Sequence, residues 1–370
     1  MRALLALGVL MSAAGSRPVP RARLFVEGVV EGVVAGLVCR RWIERRPAVS
    51  MMVDARTGEG SIMKQLTTTT GTAKSTALLM APEELAHRLE RGGSSGIVII
   101  EVVSPEEARA SPARIPTSQR VWRPEFQEPV TPSQPLDGLA PTAEAFSQFA
   151  QQLGISEETE VVILSHKYDE TRLWWLFIAF GKRSVWVLDG GYEAWMAAGL
   201  PSTTSEQPAC EEQGTWLATP LDGSLLATRS DVLALRIASP GRLWDVRTRE
   251  EFRGTVTLNG AAQPGRIPWA SGRLEWSCFR RADGRWRDSD EIRKLAVGLI
   301  GATPGDGGGP HCFYCQSGVR TTQVIFGLAL AGWPLADLRN YDGSWVEWSR
   351  VATADEVLCG SDTLSGPHSL

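Results

Sequence analysis

The stretch His311-Cys312-Phe313-Tyr314-Cys315-Gln316-Ser317-Gly318-Val319-Arg320, with the apolar-periodic run Thr321 to Leu330 behind it, decides how the chain is read. Its first four residues make a short apolar strand, the next six a turn, and the run after them a helix. Cys315 is therefore the first residue of a strand-to-helix turn. In such a turn the peptide N–H groups point inward and the helix adds positive potential, so a thiol there is expected to work as a thiolate. Arg320 adds a full positive charge. A persulfide carried on Cys315 is also an anion and suits the same cradle. The alternative for the turn alone is a buried structural cysteine. Spacing separates two chemistries: Gln316, Ser317, Gly318 and Val319 lie between Cys315 and Arg320, whereas a loop that rings a tetrahedral phosphate needs one residue more. The tighter ring suits a single terminal sulfur.

Composition sets the frame. At 370 residues, 43% apolar and 22% charged, the chain can hold two ordinary domains. A net charge of −4 gives no general affinity for nucleic acid or an anionic membrane. The cysteines at 39, 210, 278, 312, 315 and 359 are too scattered for a disulfide scaffold, so reduced thiols are expected.

Residues 1–75 do not read as core. Arg2 and the apolar run Leu4 to Ala14 have the shape of a signal-type segment. Arg17, Arg21, Arg23, Arg40, Arg41, Arg45 and Arg46 follow, with only Glu27, Glu31 and Glu44 against them. That balance predicts a targeting extension for an organelle, the mitochondrion ahead of the plastid, the alternative being a disordered start on a cytoplasmic protein. Thr67 to Thr76 reads as a flexible lead-in.

From Leu78 strands and helices alternate. Helices are expected over Ala81 to Arg91, Thr142 to Leu153, Arg172 to Phe180 and Tyr192 to Ala198, and strands over Ile97 to Val103, Glu160 to Ser165 and Ser184 to Leu188. A Pro-rich loop spans 105–141. The pattern then repeats. Glu101-Val102-Val103-Ser104-Pro105-Glu106-Glu107-Ala108 matches Asp245-Val246-Arg247-Thr248-Arg249-Glu250-Glu251-Phe252. Ala113-Arg114-Ile115-Pro116 matches Gly265-Arg266-Ile267-Pro268, and Asp189-Gly190-Gly191 with Trp195 matches Asp342-Gly343-Ser344 with Trp348. Two homologous α/β domains follow, at 78–202 and 223–352, each an open, mainly parallel sheet with helices on both faces. A linker occupies 203–222 and a tail 353–370. In the first domain Ser165-His166-Lys167-Tyr168-Asp169-Glu170 stands where the second has its Cys315 turn. It has no thiol and two carboxylates, so this half should be inert.

The Cys315 loop together with Tyr341-Asp342-Gly343-Ser344-Trp345-Val346-Glu347-Trp348 resembles the two-domain thiosulfate and 3-mercaptopyruvate sulfurtransferases of the rhodanese superfamily, over about residues 78–352. The resemblance implies two tandem rhodanese-like domains, the first catalytically silent. It also implies that Cys315 carries a sulfane sulfur from thiosulfate or 3-mercaptopyruvate to cyanide or to a thiol such as thioredoxin or glutathione. The anion-stabilising set would be Gln316, Ser317, Gly318, Val319 and Arg320, with Arg247 helping to bind the donor, the alternative being a surface pair of Arg247 with Asp245 or Glu250, and with Asp245 structural. No metal or other cofactor is implied, and no membrane or nucleic-acid partner.

Several positions depart from the mercaptopyruvate pattern. Glu251 stands where the long enzymes have Arg, and Arg320 where they have Thr, both as in single-domain rhodaneses. Arg114 replaces a first-domain His, Arg266 stands where His is usual, and Gln316 and Ser317 replace the basic loop residues of thiosulfate enzymes. His166 as a base toward Cys315, and Cys312 as a resolving thiol, are minor expectations. Two other classes remain open: a sulfur-carrier or binding module without turnover, and a Cys-dependent phosphatase or arsenate-reductase-like enzyme.

Overall fold

The computed structural model describes residues 78–92, 96–205, 212–238 and 241–360. The expected targeting extension, its lead-in, part of the linker and the last residues of the tail lie outside them.

The first half runs β1 (Leu79–Met80), α1 (Pro82–Gly92), β2 (Ile97–Val102), α2 (Pro105–Ala110), β3 (Gln119–Val121), α3 (Ala143–Gln152), β4 (Glu160–Ser165), α4 (Asp169–Ala179), β5 (Val185–Leu188) and α5 (Gly191–Ala197). The second half repeats that order as β6 (Leu226–Ala227), α6 (Arg229–Ala238), β7 (Leu243–Asp245), α7 (Arg249–Arg253), β8 (Gly272–Arg273), α8 (Ser289–Ile300), β9 (His311–Tyr314), α9 (Thr321–Leu330), β10 (Leu338–Tyr341) and α10 (Ser344–Val351). Each half builds a five-stranded parallel sheet, in the orders β1-β5-β4-β2-β3 and β6-β10-β9-β7-β8, which correspond strand for strand.

The central strands are apolar on both faces because helices cover both sides. Val161, Val162, Ile163 and Leu164 of β4 are all fully buried. The expected loop at 105–141 proves to hold α2 and β3. Ser104 caps α2 through a reciprocal pair with Glu107, and Pro105 opens the helix. Thr248 and Glu251 cap α7 in the same way, so the repeated eight-residue segment is at root a duplicated capping box. Helix α4 starts three residues before the expected Arg172, since Asp169 and Glu170 suit the positive N-terminus of a helix.

Helices α4 and α9 are buried nearly all round, and they pack against each other between the two sheets. Trp174 of α4 meets Phe326 of α9 edge-on at 4.8 Å between ring centroids, and Phe326 also lies 4.7 Å from Trp286. Thr171 and Thr322 share a buried hydrogen bond of 2.9 Å beside them. One hydrophobic cluster runs through this contact from Ile100 and Val161 of the first sheet to Trp244 and Phe313 of the second. Phe326→Ala is expected to lower the unfolding free energy by about 3–5 kcal/mol in urea titration, and a loss below about 1 kcal/mol would contradict this packing.

Candidate active site

Strand β9 delivers Cys315 to the carboxyl edge of the second sheet, where the side chain is 1% exposed. The loop it opens is held from behind by the start of α10. Ser344 Oγ accepts hydrogen bonds from the amides of Cys315 (3.1 Å) and Gly318 (3.0 Å) and donates to Tyr341 O (2.7 Å). The next two amides take loop carbonyls, Trp345 N to Cys315 O (3.0 Å) and Val346 N to Gln316 O (2.8 Å). Ser344 does this from a left-handed backbone, φ +48°, which costs a non-glycine residue on the order of 1–3 kcal/mol. Gly318 also has positive φ, and a Cβ there would meet Asp342 O at 2.6 Å, so only glycine fits.

The Gly318 carbonyl is turned away from the thiol and gathers three donors: Thr321 Oγ1 (2.7 Å), Asn340 Nδ2 (3.0 Å) and Arg172 Nη1 (3.3 Å). Arg172 comes from α4 of the first half. It is 1% exposed, pairs with Asp342 at 2.6 Å and bonds Gly138 O at 2.7 Å. The amide of Ala140 reaches the other Asp342 oxygen at 2.7 Å. Gly138 lies so close to the loop that a Cβ on it would meet Ser317 O at 2.4 Å. Among the described residues the amides of Gln316, Ser317, Val319 and Arg320 have no hydrogen-bond partner. That of Gly318, which the resemblance placed in the anion-stabilising set, is instead committed to Ser344, as is that of Cys315. Unpartnered amides in a turn that carries a thiol are donors an anion can use.

The two arginines behave differently from expectation. Arg320 is tied by both terminal nitrogens to Glu251, at 2.8 and 2.7 Å, with both side chains buried. Burial disfavours each charge, but the partner outweighs it, so the guanidinium titrates above and the carboxylate below its ordinary range. The unusual residues at 251 and 320 are thus one compensated pair. Arg247 takes the alternative of pairing with Asp245, but in a buried position rather than on the surface. It is 1% exposed, bound by Asp245 and by Gly265 O at 2.8 Å, and stacked on Trp345 at 4.7 Å, leaving no accessible face for a donor. Its charge serves to hold the Asp245 turn.

Among the described residues no group of three or more His, Cys, Asp or Glu side chains is placed to hold a metal, and no helix is long and apolar enough to cross a membrane.

The family model for the Rhodanese-like domain matches residues 81–198. The chain is 34% identical over 229 residues to the 3-mercaptopyruvate sulfurtransferase of Rattus norvegicus, spanning 60% of this chain and 74% of that one. The chain belongs to the rhodanese-like sulfurtransferase family. It is also 32% identical over 254 residues to the sulfur carrier protein TtuD of Thermus thermophilus (64% of this chain, 82% of that one) and 29% identical over 250 residues to the thiosulfate sulfurtransferase of Gallus gallus (63% and 83%). The structure of wild-type EanB shares the fold, with a TM-score of 0.65 at 21% identity, covering 77% of this chain and 69% of that one.

In this sulfurtransferase the first half keeps the loop position but fills it with salt links. His166 bonds Glu101 at 2.9 Å and lies 3.5 Å from Glu193. The Glu101 bond first, then Glu193, raise its pKa to about 9, and both ring nitrogens are engaged with carboxylates of the first half. Glu170 faces the other half and pairs with Arg280, and Gln323 donates to it at 2.8 Å. Arg114 is bound to Ser205 O at 2.8 Å and does not join the loop, while Arg266 stacks on Phe252 at 4.3 Å as a packing residue. Cys312 packs in the cluster on one face of the second sheet and Cys315 in the cluster on the other, so the strand's alternation keeps the thiols apart. Burial raises the Cys312 pKa, as for an inert core thiol.

The site residues that the sequence reading passed over are Ser344, Asp342, Arg172, Gly138 and Ala140. One signal for Ser344 was available: its counterpart in the repeat is Gly191, which has the same left-handed backbone at φ +61°.

Arg320→Met strands a buried carboxylate and is expected to destabilise the protein by about 3–5 kcal/mol, whereas Glu251→Met/Arg320→Met together cost far less. Urea titration of the singles and the double measures the coupling, and additive effects would contradict a compensated pair. His166 gives a pH signature. A pKa raised from 6.5 to about 9 contributes stability that is full below pH 6.5 and vanishes as pH rises through about 9. The stability gap between wild type and His166→Gln is therefore expected to close between those limits, and a gap that widens upward would refute the assignment.

Proposed function

We propose that this sulfurtransferase moves a sulfane sulfur in two covalent steps through Cys315. The Cys315 thiolate attacks the outer sulfur of the donor. The new S–S bond forms as the donor's bond to that sulfur breaks, and its electron pair leaves with sulfite from thiosulfate or with the enolate of pyruvate from 3-mercaptopyruvate. A nucleophile, cyanide or a protein or small thiol such as thioredoxin or glutathione, then takes the terminal sulfur. That S–S bond breaks with its electrons returning to the cysteine sulfur, so no outside oxidant or reductant is needed. The observation that carries the reading is the open set of amides at Gln316, Ser317, Val319 and Arg320 around a strand-end thiol. These are donors aimed to stabilise a persulfide anion. The relatives that handle thiosulfate and 3-mercaptopyruvate support the choice of donors.

A sulfur-carrier role without turnover is the second reading. It is favoured by the engagement of Arg320 with Glu251, which leaves less positive charge for a small anionic donor.

Intact mass spectrometry of the reduced protein after incubation with thiosulfate or with 3-mercaptopyruvate tests the chemistry. The expected result is a gain of about 32 Da, absent in Cys315→Ser and discharged by cyanide. Loading with both donors but negligible thiocyanate formation under turnover would transfer the case to the carrier role. No loading of the wild type would end the persulfide reading.

A further inference from the structure

The half without a thiol touches the reactive loop at Gly318 and Ser317 and the turn behind it at Asp342. Arg172 reaches Gly318 O and Asp342, Ala140 N reaches Asp342, and Gly138 packs against Ser317. Asn340 joins these contacts to the loop by donating to both Gly318 O (3.0 Å) and Asp342 (3.1 Å). On the other side Ser344 ties the amides of Cys315 and Gly318. Pinning the Gly318 carbonyl outward fixes the plane of the peptide it shares with Val319, and so points the Val319 amide the opposite way, back into the loop. Pinning the amides of Cys315 and Gly318 on Ser344 fixes the two residues that flank Gln316 and Ser317, whose amides are open. The duplication supplies an internal comparison. At the position of Ser344 the thiol-free half has Gly191, which meets the left-handed backbone without strain and has no hydroxyl to give. The half with the thiol keeps a strained serine.

We propose that Arg172 and Ser344 are positioning residues for sulfur transfer at Cys315, so that the first half, itself without reactive chemistry, takes part in catalysis by fixing the orientation of the loop amides. This rests on the persulfide reading of Cys315 and assigns two residues to it. The bonds of both side chains to the loop are to its backbone, and each acts through that backbone.

The test uses the full chain with Ser344→Gly, which relieves the backbone strain, and Arg172→Lys, which keeps the charge opposite Asp342 but not the forked reach to both Gly318 O and Gly138 O. Single-turnover sulfur loading of Cys315 is followed by mass at saturating donor, with donor KM measured alongside and the folded fraction read by urea titration. Loading constants are expected to fall about tenfold to hundredfold while KM stays within about threefold of wild type, the split produced by misplaced transition-state donors. A constant within about twofold of wild type in either variant, or a loss no larger than its unfolded fraction, overturns the assignment for that residue. Alkylation of Cys315 by iodoacetamide reads the loop without any sulfur donor and separates the two claims. If the wild type fails to load, the persulfide reading falls, and the positioning role then stands on an alkylation rate changed about fivefold or more in the variants, or falls with an unchanged one.

Discussion

A loop whose amides are left without partners cannot use them to hold itself together. Its carbonyls, and whichever amides face away, must be gripped from outside, and around Cys315 nearly every neighbour is occupied with that. The first turn of α10 takes the carbonyls of Cys315 and Gln316, Ser344 takes two amides, and Arg172, Asn340 and Thr321 converge on the Gly318 carbonyl. The buried arginine is neutralised by Asp342, which is in turn bonded by Ala140 and Asn340, so the anchoring charges do not spread into the site.

The two halves solve the same backbone problem with opposite charges. Where the second half has Arg320 held by Glu251 of the same half, the first has Glu170 held by Arg280 of the other half. Where one has Cys315, the other has Ser165, whose hydroxyl is spent on Glu170. The thiol-free loop has thereby become part of the seam between the sheets. Gln323, one turn into α9, donates to the Tyr168 carbonyl and to Glu170 across that seam. The same helix thus packs on the first half and begins at the reactive loop.

Much of this was legible in the chain before folding. The strand, turn and helix around Cys315 follow from local periodicity, and the duplicated capping boxes at Ser104 and Thr248 announce two copies of one unit. Less was legible where a residue's role depends on what lies opposite it in space. Arg247 reads as a ligand-facing residue because it ends a strand, yet Asp245 two residues away folds it inward. Glu251 and Arg320 each look like an isolated departure, and only their meeting across the crevice makes them one feature. Arg172 stands in an aromatic helix of the wrong half, so no local pattern could have tied it to Gly318. Short strands such as Leu226–Ala227 and Gly272–Arg273 carry too few residues for a period to show.

Tandem copies of a unit are ordinarily interchangeable cassettes, free to be lost, multiplied or traded between proteins. The reach of Arg172 into the Gly318 turn removes that freedom here. The Gly318 turn of the second unit is bonded by a side chain that lies 146 positions upstream. A substitution at Arg172 in the first unit is therefore felt at the Gly318 turn of the second, and the two units are coupled through that side chain.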